Sequence, residues 1–120
     1  MPPHHQHASI SAWQDETHVI ENRAAYREKF LALQTILNPI LKPQLPAGGF
    51  YYWLQTPIAD TEFARGLFDQ QNVTVLPGSF LARDTEQGNP GANRVRIALV
   101  APLAECIEAA LRINAYVNTL

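Results

Sequence analysis

Apolar residues recur at helical intervals along the first forty positions. Val19, Tyr26, Phe30, Leu33 and Leu37 are spaced by seven, four, three and four, while Glu21, Arg23, Arg27, Glu28 and Gln34 fall on other faces. That spacing predicts an amphipathic helix ending before Pro39. Pro2 and Pro3 suit the first turn of an earlier helical piece carrying Ala8, Ile10, Ala12 and Trp13. Gln14-Asp15-Glu16 then marks a break and restart, with Asp15 as the new N-cap. Ile20, Ala24, Ala25, Leu31 and Ala32 form a second apolar side, making the buried arc wider than one small sheet needs and hinting at a missing neighbour.

Beyond the breakers Pro39, Pro43, Pro46, Gly48 and Gly49, the aromatic run Phe50-Tyr51-Tyr52-Trp53-Leu54 predicts a strand. Asp60 starts a short helix with Phe63, Ala64, Leu67 and Phe68 on one face, closed by Gln71-Asn72. Val73 to Leu76 reads as a second strand stopped by Pro77-Gly78. The stretch from Ser79 to Asn93 is long for a small domain, which points to function or mobility. Arg94 to Val100 is the third strand, and Pro102 opens a last helix marked by Leu103, Ile107, Ala110, Leu111 and Val117. The order α-β-α-β-β-α predicts an α/β chain of the α+β kind: a three-stranded, mainly antiparallel sheet packed on helices, preceded by a long N-terminal helix. Two parts are expected, a helical segment over 1–38 and a small domain over 39–120.

Composition narrows the partners. With 120 residues and 47% hydrophobic content the chain can build one modest core, and a net charge of −2 gives no electrostatic reason to bind nucleic acid or an anionic membrane. Small molecules or proteins remain. The single Cys106 excludes an internal disulfide or a four-cysteine zinc site and fits a reducing cytoplasm. There is no apolar run long enough to span a bilayer, and the N-terminus lacks the pattern of a signal peptide.

The chemistry concentrates on the third strand. Alternation sends Val95, Ile97 and Leu99 toward the helices and Arg94 and Arg96 to the other face. Two readings stand: solvated edge charges, or a clamp for a carboxylate, which the planar guanidinium fork matches two bonds at a time. The other candidates are weaker. His4, His5, His7 and His18 lack the spacing of a zinc motif and read as adventitious. Ser79 has no nucleophile elbow or base-plus-acid pair, Cys106 reads as a buried small hydrophobe, and Gly48-Gly49 reads as a turn.

Six landmarks in order carry a family resemblance. They are Pro2-Pro3 with Gln6; Ala12-Trp13 with Asp15-Glu16 and His18-Val19; and Asn22-Arg23 with Tyr26 and Lys29-Phe30. Pro46 to Trp53 follows as Pro-x-Gly-Gly-Phe-Tyr-x-Trp, then Val75 to Phe80, then Arg94 to Leu99. Together they resemble the C-terminal portion of class I/II, fold-type I aminotransferases that use pyridoxal phosphate, over essentially the whole chain. Asn72 to Phe80, Leu81-Ala82-Arg83, Asn89-Pro90-Gly91 and Val100 to Cys106 look most like the bacterial N-succinyldiaminopimelate aminotransferases. That subgroup moves an amino group between glutamate and N-succinyl-2-amino-6-oxopimelate in lysine biosynthesis.

The resemblance implies that Arg96 binds the substrate α-carboxylate, with Arg94 only its strand neighbour. Arg83 in the long loop could reach the distal carboxylate of a succinylated substrate. The same resemblance marks a gap. The family holds its cofactor on a lysine in a Ser-x-x-Lys context, and the only lysines here, Lys29 and Lys42, are not in it. No catalytic, cofactor-binding or metal residue is therefore expected in this chain. It reads as the small domain of a longer, homodimeric enzyme whose large domain is missing, inactive alone and prone to self-association or swapping of its first helix. A stand-alone carboxylate-binding or protein-interaction module is the alternative.

Overall fold

In a computed structural model describing residues 1–120, the chain forms four helices and one three-stranded sheet. Helix α1 spans Pro3–Gln14 and α2 spans Thr17–Leu37, so the break falls where Gln14-Asp15-Glu16 predicted it. Glu16 occupies the cap position, and the Asp15 carboxylate still accepts the Thr17 N–H at 3.0 Å. His18 hydrogen-bonds the same carboxylate, and that contact, helped by the Thr17 N–H, holds Asp15 below the usual carboxylate range.

Strand β1 is Tyr51–Gln55, α3 is Asp60–Gln71, β2 is Leu76–Pro77, β3 is Arg94–Ala98 and α4 is Leu103–Val117. The sheet order is β1-β3-β2 and both pairings are antiparallel. β2 is shorter than the predicted strand over 73–76 and starts later. Pro77 has no N–H to give a ladder, so this edge strand pairs only through Leu76 and Pro77 before the chain tightens into a single 3-10 turn at Gly78–Phe80.

All three strands bury the same side. Tyr52, Leu54, Val95 and Ile97 face the helices, while Tyr51, Trp53, Gln55, Arg94 and Arg96 alternate to the open side. The core joins these residues to Phe30, Leu33 and Leu37 of α2, Phe63 and Leu67 of α3, and Cys106, Ala110, Ile113, Tyr116 and Val117 of α4. The carboxyl half of α2 thus shares its core with the sheet domain.

Two expected core positions are corrected. Phe68 and Leu111 are exposed, because the buried stripe of α3 runs through Phe63 and Leu67, and that of α4 through Cys106, Ala110, Ile113 and Val117. The second apolar side of α2 lies open as its width suggested: Ile20, Ala24, Ala25 and Leu31 are exposed and Ala32 is half-buried.

Polar groups close the helix ends. Asn114 Nδ2 donates to the Ile36 carbonyl at 2.6 Å in the last turn of α2, and Arg112 donates to the Gln71 carbonyl at the end of α3 and to Glu108. The Tyr52 hydroxyl donates to the Phe30 carbonyl at 2.6 Å inside the core, and burial pushes its pKa up to about 12. No helix is long and apolar enough to cross a membrane.

Candidate functional site

On the open face of the sheet, charge, aromatic surface and concavity coincide around Arg96. In the antiparallel register Arg96 lies opposite Trp53 on one side and Leu76 on the other. Its guanidinium carbon sits 5.3 Å from the centroid of the Tyr51 ring, a cation–π distance. Tyr51, Trp53, Leu81 and Arg96 line an open recess of about 480 Å³. The guanidinium makes no ion pair within the protein, so the donor fork remains available to a ligand. Arg94 sits on the same face opposite Gln55, one pleat away and outside the recess. Arg83 is exposed and also lies outside it, two residues past the wall residue Leu81.

The segment between β2 and β3 is more tightly held than its length suggested. Thr85 and Gly88 pair in a small turn, and Asn89 bridges the two limbs by donating to the Ser79 carbonyl at 3.1 Å while accepting the Gly91 N–H at 2.9 Å. Gly78 and Gly91 touch so closely that a Cβ on either would collide with the other's backbone. Below them lies Asp60, only 5% exposed, whose two carboxylate oxygens accept the Ser79 N–H at 2.9 Å and the Asn93 N–H at 3.3 Å. Burial pushes the Asp60 carboxyl up, but hydrogen bonds from Ser79 and Asn93 outweigh it and hold the group below the usual range.

In the sequence Asp60 is legible only as a helix start, and its bonds to Ser79 and Asn93 are not. The only available signal was an acidic residue at a helix start, which also suits the helix dipole. Tyr51 and Trp53 were likewise read as strand formers; the alternation of β1 against β3 would have put them beside Arg96.

The remaining candidates fall elsewhere. His4, His5 and His7 stand on exposed α1, and Ser79 contributes its backbone N–H to Asp60. Cys106 is buried, and burial raises its thiol pKa against the opposing charge of Lys29. Lys29 donates to the Leu99 carbonyl at 3.1 Å and lies over the Tyr26 ring, while Lys42 sits in the connector with φ 47°. Neither lysine lines the recess, and its four lining residues offer no phosphate cradle, so the recess does not fit pyridoxal phosphate.

No protein-family model and no curated protein matches the chain. Among solved structures, its neighbours are aminotransferases. An aminotransferase from Neisseria meningitidis is 53% identical with a TM-score of 0.87, over 92% of this chain and 28% of that one.

More particularly, a probable N-succinyldiaminopimelate aminotransferase from Thermus thermophilus is 32% identical with a TM-score of 0.71, over 86% of this chain and 27% of that one. A PLP-bound putative aminotransferase from Clostridium difficile shares the fold, at 20% identity and a TM-score of 0.74, over 89% of this chain and 28% of that one. The chain spans less than a third of the length of each of these structures.

Proposed function

We propose that this chain is the substrate-carboxylate-binding small domain of a pyridoxal-phosphate-dependent aminotransferase, with Arg96 as the carboxylate clamp. The observation that carries the reading is the unpaired Arg96 guanidinium, fixed on a strand between Tyr51, Trp53 and Leu81 on an otherwise open sheet face. A strand with ladder partners on both sides restricts the arginine backbone, so the fork meets a carboxylate in one orientation. Tyr51 and Trp53 supply flat apolar walls for the carbon chain of an amino or keto acid. Identity of 53% to an aminotransferase supports the class, and the PLP-bound structure of the same fold suggests the cofactor of the longer enzyme.

Bound pyridoxal phosphate supplies the electron sink for amino transfer. This chain has no residue placed to hold it, so the large domain must, and the chain alone is inactive. The finer reading is an N-succinyldiaminopimelate substrate, supported by the 32% identity to the Thermus structure, with Arg83 on its distal carboxylate and the parent enzyme a cytoplasmic homodimer.

The test follows the Arg96 side-chain Nε–H by NMR while glutarate is added. The expected result is a saturable shift, lost in Arg96→Gln and kept in Arg94→Gln; equal behaviour of the two variants rejects the assignment. In parallel, borohydride treatment with pyridoxal phosphate should label no single lysine selectively and should accompany no turnover.

A further inference from the structure

Asp60 sits at the start of α3 and contributes nothing to the recess, yet its carboxylate ties together the two chain segments that build it. One oxygen accepts the N–H of Ser79, two residues past β2, and the other accepts that of Asn93, the residue before β3. Asn93 has φ 58°, a left-handed turn into the strand, and its carbonyl accepts the Thr56 N–H at 2.8 Å from the end of β1. A continuous network therefore runs from β1 through Asn93, Asp60 and Ser79 to Asn89 and Gly91. All three strands end on it.

The network matters because β2 is so short. Leu76 and Pro77 are the whole of its pairing with β3, and Pro77 cannot donate. Leu76 faces Arg96 across that pair, and Leu81, a wall of the recess, follows directly after the turn that Asp60 holds through Ser79. A two-residue edge strand does not by itself keep a wall in place.

We propose that Asp60 is a positioning residue for the Arg96 carboxylate site, fastening the β2 limb to the root of β3 so that Leu76 stays paired with Arg96 and Leu81 stays in the wall of the recess. The inference rests on the reading of Arg96 given above. A carboxylate is required because it accepts two backbone N–H groups at once. An amide in its place offers one acceptor oxygen and turns an NH2 toward the other donor, leaving one part-buried N–H without its acceptor. Charge-assisted bonds to a buried carboxylate are also the stronger kind.

The experiment uses the whole 120-residue chain, glutarate as probe, and the Arg96 Nε–H, Ser79 and Asn93 amide signals as readouts. In Asp60→Asn, exchange of the Ser79 and Asn93 amides should quicken at least tenfold, and glutarate affinity of the folded chain should fall about fivefold to tenfold. A role limited to stability would lower the unfolding midpoint and leave affinity of the folded chain unchanged, which would overturn the proposal. Asp60→Glu, which keeps both acceptors, should recover part of the affinity; recovery no better than with Asn counts against it.

Should Asp60→Asn not fold, Asn89→Ala cuts the adjoining bond to Ser79 and is expected to weaken glutarate binding while leaving the core intact; wild-type affinity there rejects the network. Arg96→Gln separates the two levels. If it binds glutarate like wild type, the site reading fails, whereas loss in Arg96→Gln with none in Asp60→Asn sinks only the Asp60 inference.

Discussion

At the scale of single residues, the Tyr52 hydroxyl is a buried polar group whose contribution depends on pH. Tyr52 is fully buried, donates to Phe30 and titrates at about 12, against an ordinary value of 10. The folded chain keeps this proton after the unfolded chain has lost it. The stabilisation is therefore complete below pH 10 and declines as pH rises from 10 to about 12, by about 2 to 3 kcal/mol in total from the two-unit shift. Urea unfolding from pH 8 to pH 12 should show this decline, and Tyr52→Phe should remove most of it while costing about 1 kcal/mol at neutral pH for the lost hydrogen bond. An unchanged pH slope in the variant would assign the alkaline loss to other groups.

Arg96 shows how far residue-level reading reaches. Alternation alone put it on the face opposite Val95 and Ile97, and that is where it lies. Spacing could not say whether solvent or aromatic rings surrounded it, because Tyr51 and Trp53 come from a strand about forty residues away. Asp60 was illegible for the same reason: its two bonding partners are 19 and 33 residues distant, and no local pattern announces a backbone N–H that needs an acceptor.

Among the elements, helix periodicity was the most legible signal and strand pairing the least. The break between α1 and α2 and the position of β3 follow from proline, capping and alternation. β2 moved because Val73 to Val75 has strand composition but no partner, while pairing falls to Leu76 and Pro77. Tertiary pairing outweighs propensity there.

The contact between α3 and α4 also escapes composition. Gly66 lies against Tyr116, so a Cβ would collide with the Tyr116 hydroxyl and lie 2.8 Å from its ring carbon Cζ. Tyr116 is buried and edge-packed on Phe63 at 5.3 Å between centroids, so it cannot swing aside. Gly66→Ala, which raises helix propensity, should nevertheless lower stability by about 1 to 3 kcal/mol through overpacking. Thermal unfolding would check the sign, and a stabilised variant would show that the helices can separate at no cost.

Across the whole molecule the mass is unevenly held. The radius of gyration is 17.4 Å, against roughly 14 Å for a compact domain of this length, and the longest dimension is 54 Å. The excess is the arm of α1 and the first half of α2. α1 buries no residue, and a twelve-residue helix without tertiary support is marginal in water. The buried residues begin at Phe30. Amides of residues 3–14 should therefore exchange with little protection while those of β1, β3 and α4 are slow. Removing residues 1–16 should change the unfolding midpoint of the rest by no more than a few degrees.

The same arm carries the apolar surface that the core does not use. Ile10, Trp13, Ile20 and Leu31 are exposed, Trp13 at 85%. Water-exposed apolar side chains of this size favour any contact that covers them, by about 25 cal/mol per Å² removed. With the relatives more than three times as long as this chain, the natural cover in a longer enzyme is the remainder of its own chain. In isolation the available cover is a second copy. Sedimentation should show association that grows with concentration, accompanied by a blue shift of Trp13 emission. Trp13→Glu combined with Ile20→Glu should return the chain to a monomer without moving the unfolding midpoint of the core. A wild-type chain that stays monomeric at high concentration would mean that the arm's apolar side is too narrow or too frayed to pair with itself. The exchange rates of residues 3–14 would then identify which, since a frayed helix presents no face and a formed one does.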